Sequence, residues 1–187
     1  TIQINVAGSI SVNASSNLTT LCTGNTLHLT ASASGATVFS WTGPNGFTSS
    51  QQNPSFVTSS ASQSGIYTVV ASNTAGCSVS SSVNVTVNPS PTAFASIGSP
   101  TICSGEDIEL FALPNGLSYA WTGPNGFTST DQNPVILNAT GANQGSYTLV
   151  VDNGSCNAIS SVSVIVNTSP TITAGVNSSN VCEGSVL

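Results

Sequence analysis

The chain has 187 residues and contains neither Lys nor Arg, whereas six residues are Asp or Glu, so its formal net charge is −6 at pH 7. Charged residues make up 3% of the sequence, against about 25% in an average soluble domain. A surface without cations excludes binding along a nucleic-acid backbone and attraction to anionic lipid headgroups. No apolar run approaches the roughly 20 residues of a spanning helix, so we expect no membrane insertion.

The sequence repeats with a period of about 80 residues. The ten residues that begin at Trp41 return with a single change at Trp121. Two series of cysteines follow the same period: Cys22, Cys103 and Cys182, and Cys77 and Cys156. Repetition at a fixed period is typical of arrays in which every copy supplies length and surface. We therefore expect neighbouring repeats of the same chain to be partners.

This period divides the chain into five predicted segments. They are the last strand of a preceding repeat (1–6), repeat 1 (7–87), a Pro-rich linker (88–91), repeat 2 (92–167), and a linker with the start of a further repeat (168–187). Two prolines in a short linker restrict bending, so we expect a semi-rigid rod.

Within each repeat the residues predict short strands. In repeat 1, apolar and polar residues alternate around His28, and the next strand ends at Trp41. Pro44-Asn45-Gly46 predicts a tight reversal, because Pro presets φ and Asn-Gly tolerates positive φ. A strand around Tyr67 and a final Val-rich strand follow, and repeat 2 has the same order. About seven short strands in 80 residues predict an all-β fold of antiparallel β-sandwich domains.

Large aromatic residues recur at equivalent positions and supply the burial that a small sandwich needs. We predict six core anchors: Trp41, Phe47, Tyr67, Trp121, Phe127 and Tyr147. The alternative is that the Trp and Phe rings form a platform on which sugars stack.

A Trp on the third strand, followed by Ser64-Gly-Ile-Tyr-Thr-Val69 before the final hairpin, is typical of an immunoglobulin-like domain. The chain resembles the tandem Ig-like and PKD-like repeats of large Bacteroidota surface adhesins of the gliding-motility type, which carry Cys-x-Gly, Trp-Thr-Gly-Pro-Asn-Gly-Phe, Gly-x-Tyr-Thr and a late Cys. This resemblance covers nearly the whole chain. It implies Ig-like domains of about 80 residues, type IX secretion, and a place at the cell surface or outside the cell.

One departure concerns the cysteines. Val69 and Leu149 stand where antibody domains have their second Cys, so the inter-sheet disulfide of antibodies is absent. We predict the disulfides Cys22–Cys77 and Cys103–Cys156, each closing a loop of about 55 residues that stabilises the fold by roughly 4 kcal/mol. Cys182 is expected to pair outside the chain. Free thiols or a metal site are the alternatives, but no Cys-x-x-Cys spacing supports zinc.

The polar residues give no catalytic constellation. His28 is predicted to face solvent, because it alternates with leucines and is replaced by Glu109 in repeat 2. Repeat 1 contains no Asp or Glu, so paired carboxylates are excluded there. Glu106-Asp107 is predicted to be a solvated surface, with a calcium site as the alternative. We expect no cofactor, no metal and no catalytic residue.

These observations favour a non-enzymatic structural and adhesive segment of an extracellular filament or cell-surface adhesin. The alternative is a carbohydrate-binding accessory module of a secreted hydrolase, with surface glycans as ligands. Edge strands without the usual Lys protection predict self-assembly into filaments, or a cover of glycan. Seven Asn-x-Ser/Thr sequons, at Asn13, Asn17, Asn84, Asn138, Asn153, Asn167 and Asn177, make glycosylation a further expectation.

Overall fold

The computed structural model describes residues 9–168, 170, 172 and 175. The predicted strand 1–6 and Cys182 lie outside the described residues, as does most of the segment 168–187. The described part consists of strands, loops and four 3₁₀ turns, and it contains no helix long and apolar enough to cross a membrane. The prediction of an all-β fold is confirmed.

Repeat 1 contributes eight strands and two 3₁₀ turns, Pro44–Gly46 and Ala61–Gln63. The strands are β1 (Ser11–Ser16), β2 (Thr20–Cys22), β3 (Thr26–Ser34), β4 (Val38–Thr42), β5 (Thr48–Ser49), β6 (Ser55–Val57), β7 (Gly65–Ser72) and β8 (Ser78–Asn88). One sheet has the order β1-β3-β6 and the other the order β2-β8-β7-β4-β5.

Repeat 2 has the same elements, with 3₁₀ turns at Pro124–Gly126 and Gly141–Asn143. Its strands are β9 (Phe94–Ile97), β10 (Thr101–Cys103), β11 (Ile108–Leu113), β12 (Ser118–Thr122), β13 (Thr128–Ser129), β14 (Val135–Ile136), β15 (Gly145–Asp152) and β16 (Asn157–Asn167). The two sheets are β14-β11-β9 and β10-β16-β15-β12-β13.

One strand pair in each repeat runs parallel, although the sandwich is otherwise built from antiparallel pairs. Strand β2 pairs with the end of β8, which places Cys22 opposite Asn88. Strand β10 pairs with the end of β16, which places Cys103 opposite Asn167. The first cysteine of each repeat therefore lies beside the end of the final strand, where the chain leaves the repeat.

The described residues form two compact units. Unit 1 contains the residues up to Ala93 together with Gly116–Ser118 and Val150–Ile159. Unit 2 contains Phe94–Asn115, Tyr119–Leu149 and the residues from Ser160 onward. The segment Val150–Ile159, which belongs to repeat 2 in sequence, is thus part of unit 1.

The core of repeat 1 follows from the alternation in its strands. Every second residue of β3 from Leu27 to Ala31 is buried, and residues of β2, β4, β7 and β8 complete the cluster: Leu21, Trp41, Tyr67, Val69, Val85 and Val87. His28, between two buried leucines, is exposed, as the alternation predicts. In repeat 2 the buried set includes Ile108, Leu110, Trp121, Tyr147 and Leu149.

The repeated reversal has the geometry expected from its sequence. Asn45 has φ 54° and Gly46 has φ 72°, and the N–H of Phe47 donates to the Pro44 carbonyl at 3.1 Å. Asn125 and Gly126 have φ values of 56° and 71°. Positive φ at two successive residues explains why Asn-Gly occupies this turn in both repeats.

Candidate functional site

The cysteines form the most distinctive chemical feature of the described residues. Cys22 and Cys156 are joined by a disulfide across 134 positions of sequence, with their Cα atoms 5.9 Å apart. Cys77 is a half-buried free thiol and Cys103 an exposed one. The predicted pairs Cys22–Cys77 and Cys103–Cys156 are therefore wrong.

Strand length is the physical reason for this correction. Cys22 lies opposite Asn88, the last residue of β8, whereas Cys77 immediately precedes Ser78, the first residue of the same strand. Eleven residues at about 3.3 Å each place the two cysteines roughly 36 Å apart, while a disulfide needs Cα atoms within about 7 Å. Cys103 and Cys156 are separated in the same way by the eleven residues of β16.

The first cysteine of each repeat is held by a loop that ends in a buried residue. In repeat 1 this residue is Thr58, whose hydroxyl lies 3.1 Å from the Cys22 carbonyl and 3.0 Å from the Asn25 carbonyl. In repeat 2 Ala139 takes its place and keeps the backbone bonds, and its carbonyl also accepts the Ser104 hydroxyl at 3.5 Å. There the Glu106 carboxylate accepts the Cys103 N–H at 2.7 Å instead. Two different side chains thus fix the same strand end.

The second cysteine of each repeat lies in the hairpin before the last strand, which an Asn side chain organises. Asn73 Oδ1 accepts the N–H groups of Ala75 and Cys77, both at 3.1 Å. Asn153 Oδ1 likewise accepts those of Ser155 and Cys156, at 3.1 and 2.8 Å.

Within unit 1 the hairpin of Cys156 meets the end of β8. Asn153 Nδ2 donates to the Pro89 carbonyl at 3.0 Å, and the Cys156 sulfur lies 3.8 Å from the Asn88 carbonyl oxygen. The disulfide and this hydrogen bond together fasten the hairpin to the strand end that carries Cys22.

The predicted core anchors fall into two groups. Trp41, Trp121, Tyr67 and Tyr147 are fully buried, whereas Phe47 and Phe127 are half-buried beside the Tyr rings, with centroid separations of 5.4 and 5.6 Å. Each Trp Nε1 donates to a backbone carbonyl, that of Gln52 at 3.2 Å or Gln132 at 3.3 Å. The Trp rings therefore present no face to a sugar.

Both buried Tyr side chains bond back to the chain that precedes them. Tyr67 donates to the Gln63 carbonyl at 2.8 Å and Tyr147 to the Asn143 carbonyl at 2.7 Å. Burial raises the pKa of both phenols above the ordinary value of 10.0. The Gly-x-Tyr signal in the sequence thus marks a tyrosine corner of the immunoglobulin type.

Two acidic residues of repeat 2, Glu106 and Asp107, accept hydrogen bonds from backbone N–H groups. Asp107 Oδ1 accepts the N–H of Asn138 at 2.8 Å, and the Glu106 carboxylate accepts the N–H of Cys103. Across residues 9–168, 170, 172 and 175, no group of three or more His, Cys, Asp or Glu side chains gathers as metal ligands would.

Sequence reasoning missed an exposed apolar face on β9 and β11. Phe94, Phe111 and Leu113 are 58%, 39% and 52% exposed, and Phe94 lies opposite Leu113 across the strand pair. The equivalent positions of repeat 1 carry Asn13, Thr30 and Ser32, all exposed. The available signal was the loss of alternation after Glu109, where apolar residues occupy both faces of β11.

Comparison with known proteins agrees with this architecture. Residues 9–87 match the sequence model of the immunoglobulin domain family. No curated protein matches the chain. The two-sheet sandwiches are immunoglobulin-like, so the predicted fold class is confirmed.

Several solved structures resemble the chain at low sequence identity. Three N-terminal domains of the Highly Immunogenic Outer Capsid protein of bacteriophage RB49 are 20% identical with a TM-score of 0.42, over 84% of this chain and 59% of the phage chain. Extracellular domains 3–5 of Drosophila OTK are 15% identical with a TM-score of 0.44, over 84% and 60%. The amphioxus IgVJ-C2 molecule is 18% identical with a TM-score of 0.39, over 78% and 99%.

Proposed function

We propose that this chain is a non-enzymatic structural and adhesive segment of an extracellular filament or cell-surface adhesin, in which immunoglobulin-like repeats form a disulfide-stapled, semi-rigid stalk. The observation that carries the proposal is the Cys22–Cys156 bond, which ties a strand end in repeat 1 to a hairpin in repeat 2. A covalent tie between successive repeats suits a stalk under tension, because it limits how far the chain can extend when either sandwich opens.

Two further observations support a place outside the cell. Disulfides form and persist in oxidising compartments, whereas cytosolic thiols are kept reduced. The surface is polar through Ser, Thr, Asn and Gln rather than through charge, and the chain lacks Lys and Arg altogether. We therefore extend the proposal to a secreted protein of the Bacteroidota adhesin type, with the array supplying length.

Electron microscopy of the native extracellular material, labelled with antibodies against residues 9–168, tests this function. An eleven-residue final strand at about 3.3 Å per residue gives a sandwich about 36 Å long. We expect labelled filaments or rods with an axial period of about one or two such lengths. Label confined to compact particles around a globular enzyme would contradict the stalk and favour an accessory module.

The exposed face on β9 and β11 supports a second candidate, a carbohydrate-binding module. Phe94 and Phe111 project from adjacent strands, and aromatic faces stack on the apolar faces of sugars. Repeat 1 lacks both rings, as a site specialised in one repeat requires.

Binding of the chain to insoluble polysaccharides tests the candidate. Phe111→Thr introduces the residue that repeat 1 carries, and Ile159→Thr removes an exposed apolar side chain of β16 as a matched control. Loss of binding in F111T alone would support the module. Equal binding by both variants would reject it.

A further inference from the structure

We propose that Cys77 and Cys103 are the unmatched halves of a repeating inter-repeat disulfide, so that the strand-end cysteine of one repeat bonds the hairpin cysteine of another throughout an array. A second copy of this chain supplies the partner, with Cys103 of one copy joined to Cys77 of the next. The inference deepens the proposed function and rests on it only in requiring further repeats of this kind.

The internal repetition supplies the first argument. Cys103 occupies in repeat 2 the position of Cys22 in repeat 1, because each is the last residue of a three-residue strand paired in parallel with the end of the final strand. Cys77 and Cys156 occupy the corresponding hairpins. Cys22 and Cys156 are bonded to each other, so each free cysteine is the counterpart of one that already carries this bond.

The surroundings of the hairpin cysteine supply an independent argument. Asn73 organises the hairpin of Cys77 through the same pair of Oδ1 contacts that Asn153 makes in repeat 2. Asn153 uses its Nδ2 group to hold the Pro89 carbonyl beside the disulfide. We infer that Asn73 Nδ2 makes the equivalent bond, to the carbonyl of Thr168 that follows the end of β16 in another copy.

No partner for these thiols is available within their own repeats. The eleven-residue strands β8 and β16 separate the two cysteines of a repeat by about 36 Å. Cys103 is exposed and Cys77 is half-buried, so both are accessible to a second molecule. The length of the strand prevents the loop closure that would otherwise compete with bonding between repeats.

Bond formation requires an oxidant, for which a small-molecule or protein disulfide, RS–SR, suffices. The Cys103 thiolate attacks RS–SR and releases one RS⁻, giving a mixed disulfide. The thiolate of Cys77 from a second copy then attacks the Cys103 sulfur and releases the second RS⁻. In total, two cysteine thiols are oxidised to one disulfide while RS–SR is reduced to two RSH.

Two variants that can each form only half of the bond test the inference. Both carry Cys182→Ser; one adds Cys77→Ser and keeps Cys103, and the other adds Cys103→Ser and keeps Cys77. In a glutathione redox buffer we expect a disulfide dimer when the two are mixed, at least several times more abundant than the homodimers of either variant alone. Homodimers as abundant as the mixed dimer would overturn the inference.

Mass spectrometry of peptic peptides identifies the bonds. A Cys103–Cys77 peptide pair beside an intact Cys22–Cys156 pair is expected, and free Cys77 and Cys103 in the mixture would overturn the proposal. Asn73→Asp keeps the Oδ1 acceptor but removes the Nδ2 donor, so we expect mixed-dimer formation to fall by about 2- to 10-fold, the value of one hydrogen bond. An unchanged yield in N73D would reject the inferred contact.

The outcomes also separate this inference from the proposed function. If the variants fail to cross-link while labelled filaments are present in the native material, the inter-repeat bond is rejected and the stalk is retained, because repeats in one chain remain connected by the backbone. Cross-linking without any filaments would retain the disulfide and reject the stalk.

Discussion

At the scale of single residues, the tyrosine corner depends on a glycine beside each ring. A Cβ atom placed on Gly43 would lie 2.5 Å from Cδ1 of Tyr67, and one on Gly123 would overlap the ring of Tyr147 in the same way. Both rings are fully buried and hydrogen-bonded, so neither can move aside. The first Gly of the Trp-Thr-Gly-Pro-Asn-Gly run is thus set by packing against Tyr.

Replacing this glycine by alanine should therefore destabilise the sandwich. We expect Gly123→Ala to lower the free energy of unfolding by about 1–3 kcal/mol, as overpacking of a core does. Gly141→Ala is the matched control in the same repeat, because its added Cβ meets nothing within 4 Å. Denaturant unfolding followed by Trp121 fluorescence, with Trp41→Phe in every sample, checks this. Equal stabilities of G123A and G141A would contradict the packing argument.

The buried phenols make stability depend on alkaline pH. Burial raises the pKa of Tyr67 and Tyr147 above 10.0, the value expected in the unfolded chain. Their contribution is fully present below pH 10 and is lost as the pH rises toward the folded pKa, because the unfolded chain releases these protons first.

We expect the unfolding midpoint to stay level up to about pH 9 and to fall above pH 10. Tyr67→Phe should make the unfolding midpoint of repeat 1 less dependent on pH above 10, because the variant has no phenol at this position to ionise. The variant also loses the hydrogen bond to the Gln63 carbonyl. The free thiols are alkylated beforehand, so that disulfide exchange does not contribute. A midpoint in Y67F that falls as steeply as in the parent chain would assign the effect to other groups.

At the scale of elements, the length of the final strand decides which cysteines can meet. The turn and the core were predictable from sequence because they follow local rules: Asn-Gly tolerates positive φ, and alternation buries every second side chain. The disulfide was not predictable from spacing, because loop length says nothing about which end of a strand each cysteine occupies. Likewise, the exposed apolar residues of β11, Phe111 and Leu113, interrupt the alternation of apolar and polar residues. Nothing within the sequence of that strand shows which of its two apolar faces is exposed.

Removal of Cys156 tests the strand-length argument. In a Cys182→Ser background the parent chain has two free thiols, Cys77 and Cys103. Cys156→Ser should raise this number to three, because Cys22 loses its partner and cannot reach Cys77 across β8. Thiol titration of monomeric protein under mild oxidation measures the number. A single remaining thiol would show that Cys22 and Cys77 can pair after all.

At the scale of the whole molecule, the disulfide closes a loop that contains most of the described chain. A force applied at the two ends passes through the disulfide from Cys22 to Cys156, which are 134 positions apart. The segment of chain between them therefore bears no tension. Extension is then limited to the segments outside the loop. Stacked immunoglobulin-like sandwiches joined only by peptide linkers lack this limit.

Single-molecule pulling gives the corresponding prediction. Reduction should lengthen the fully extended chain by about 450 Å, because 134 residues at roughly 3.3–3.6 Å each replace a Cα separation of 5.9 Å. Cys156→Ser without reductant should show the same long extension as the reduced parent. Identical contour lengths before and after reduction would contradict the closed loop.

The same loop alters what damage to the backbone can do. A single cut anywhere between residues 23 and 155 leaves two fragments that are still joined through Cys22 and Cys156. If Cys103 also bonds Cys77 of a second copy, the cut chain stays tied to its neighbours as well. Such a filament would keep the segments beyond a cut after a protease cleaves the backbone once. The main effect of the disulfides would then be resistance to proteolysis rather than mechanical strength.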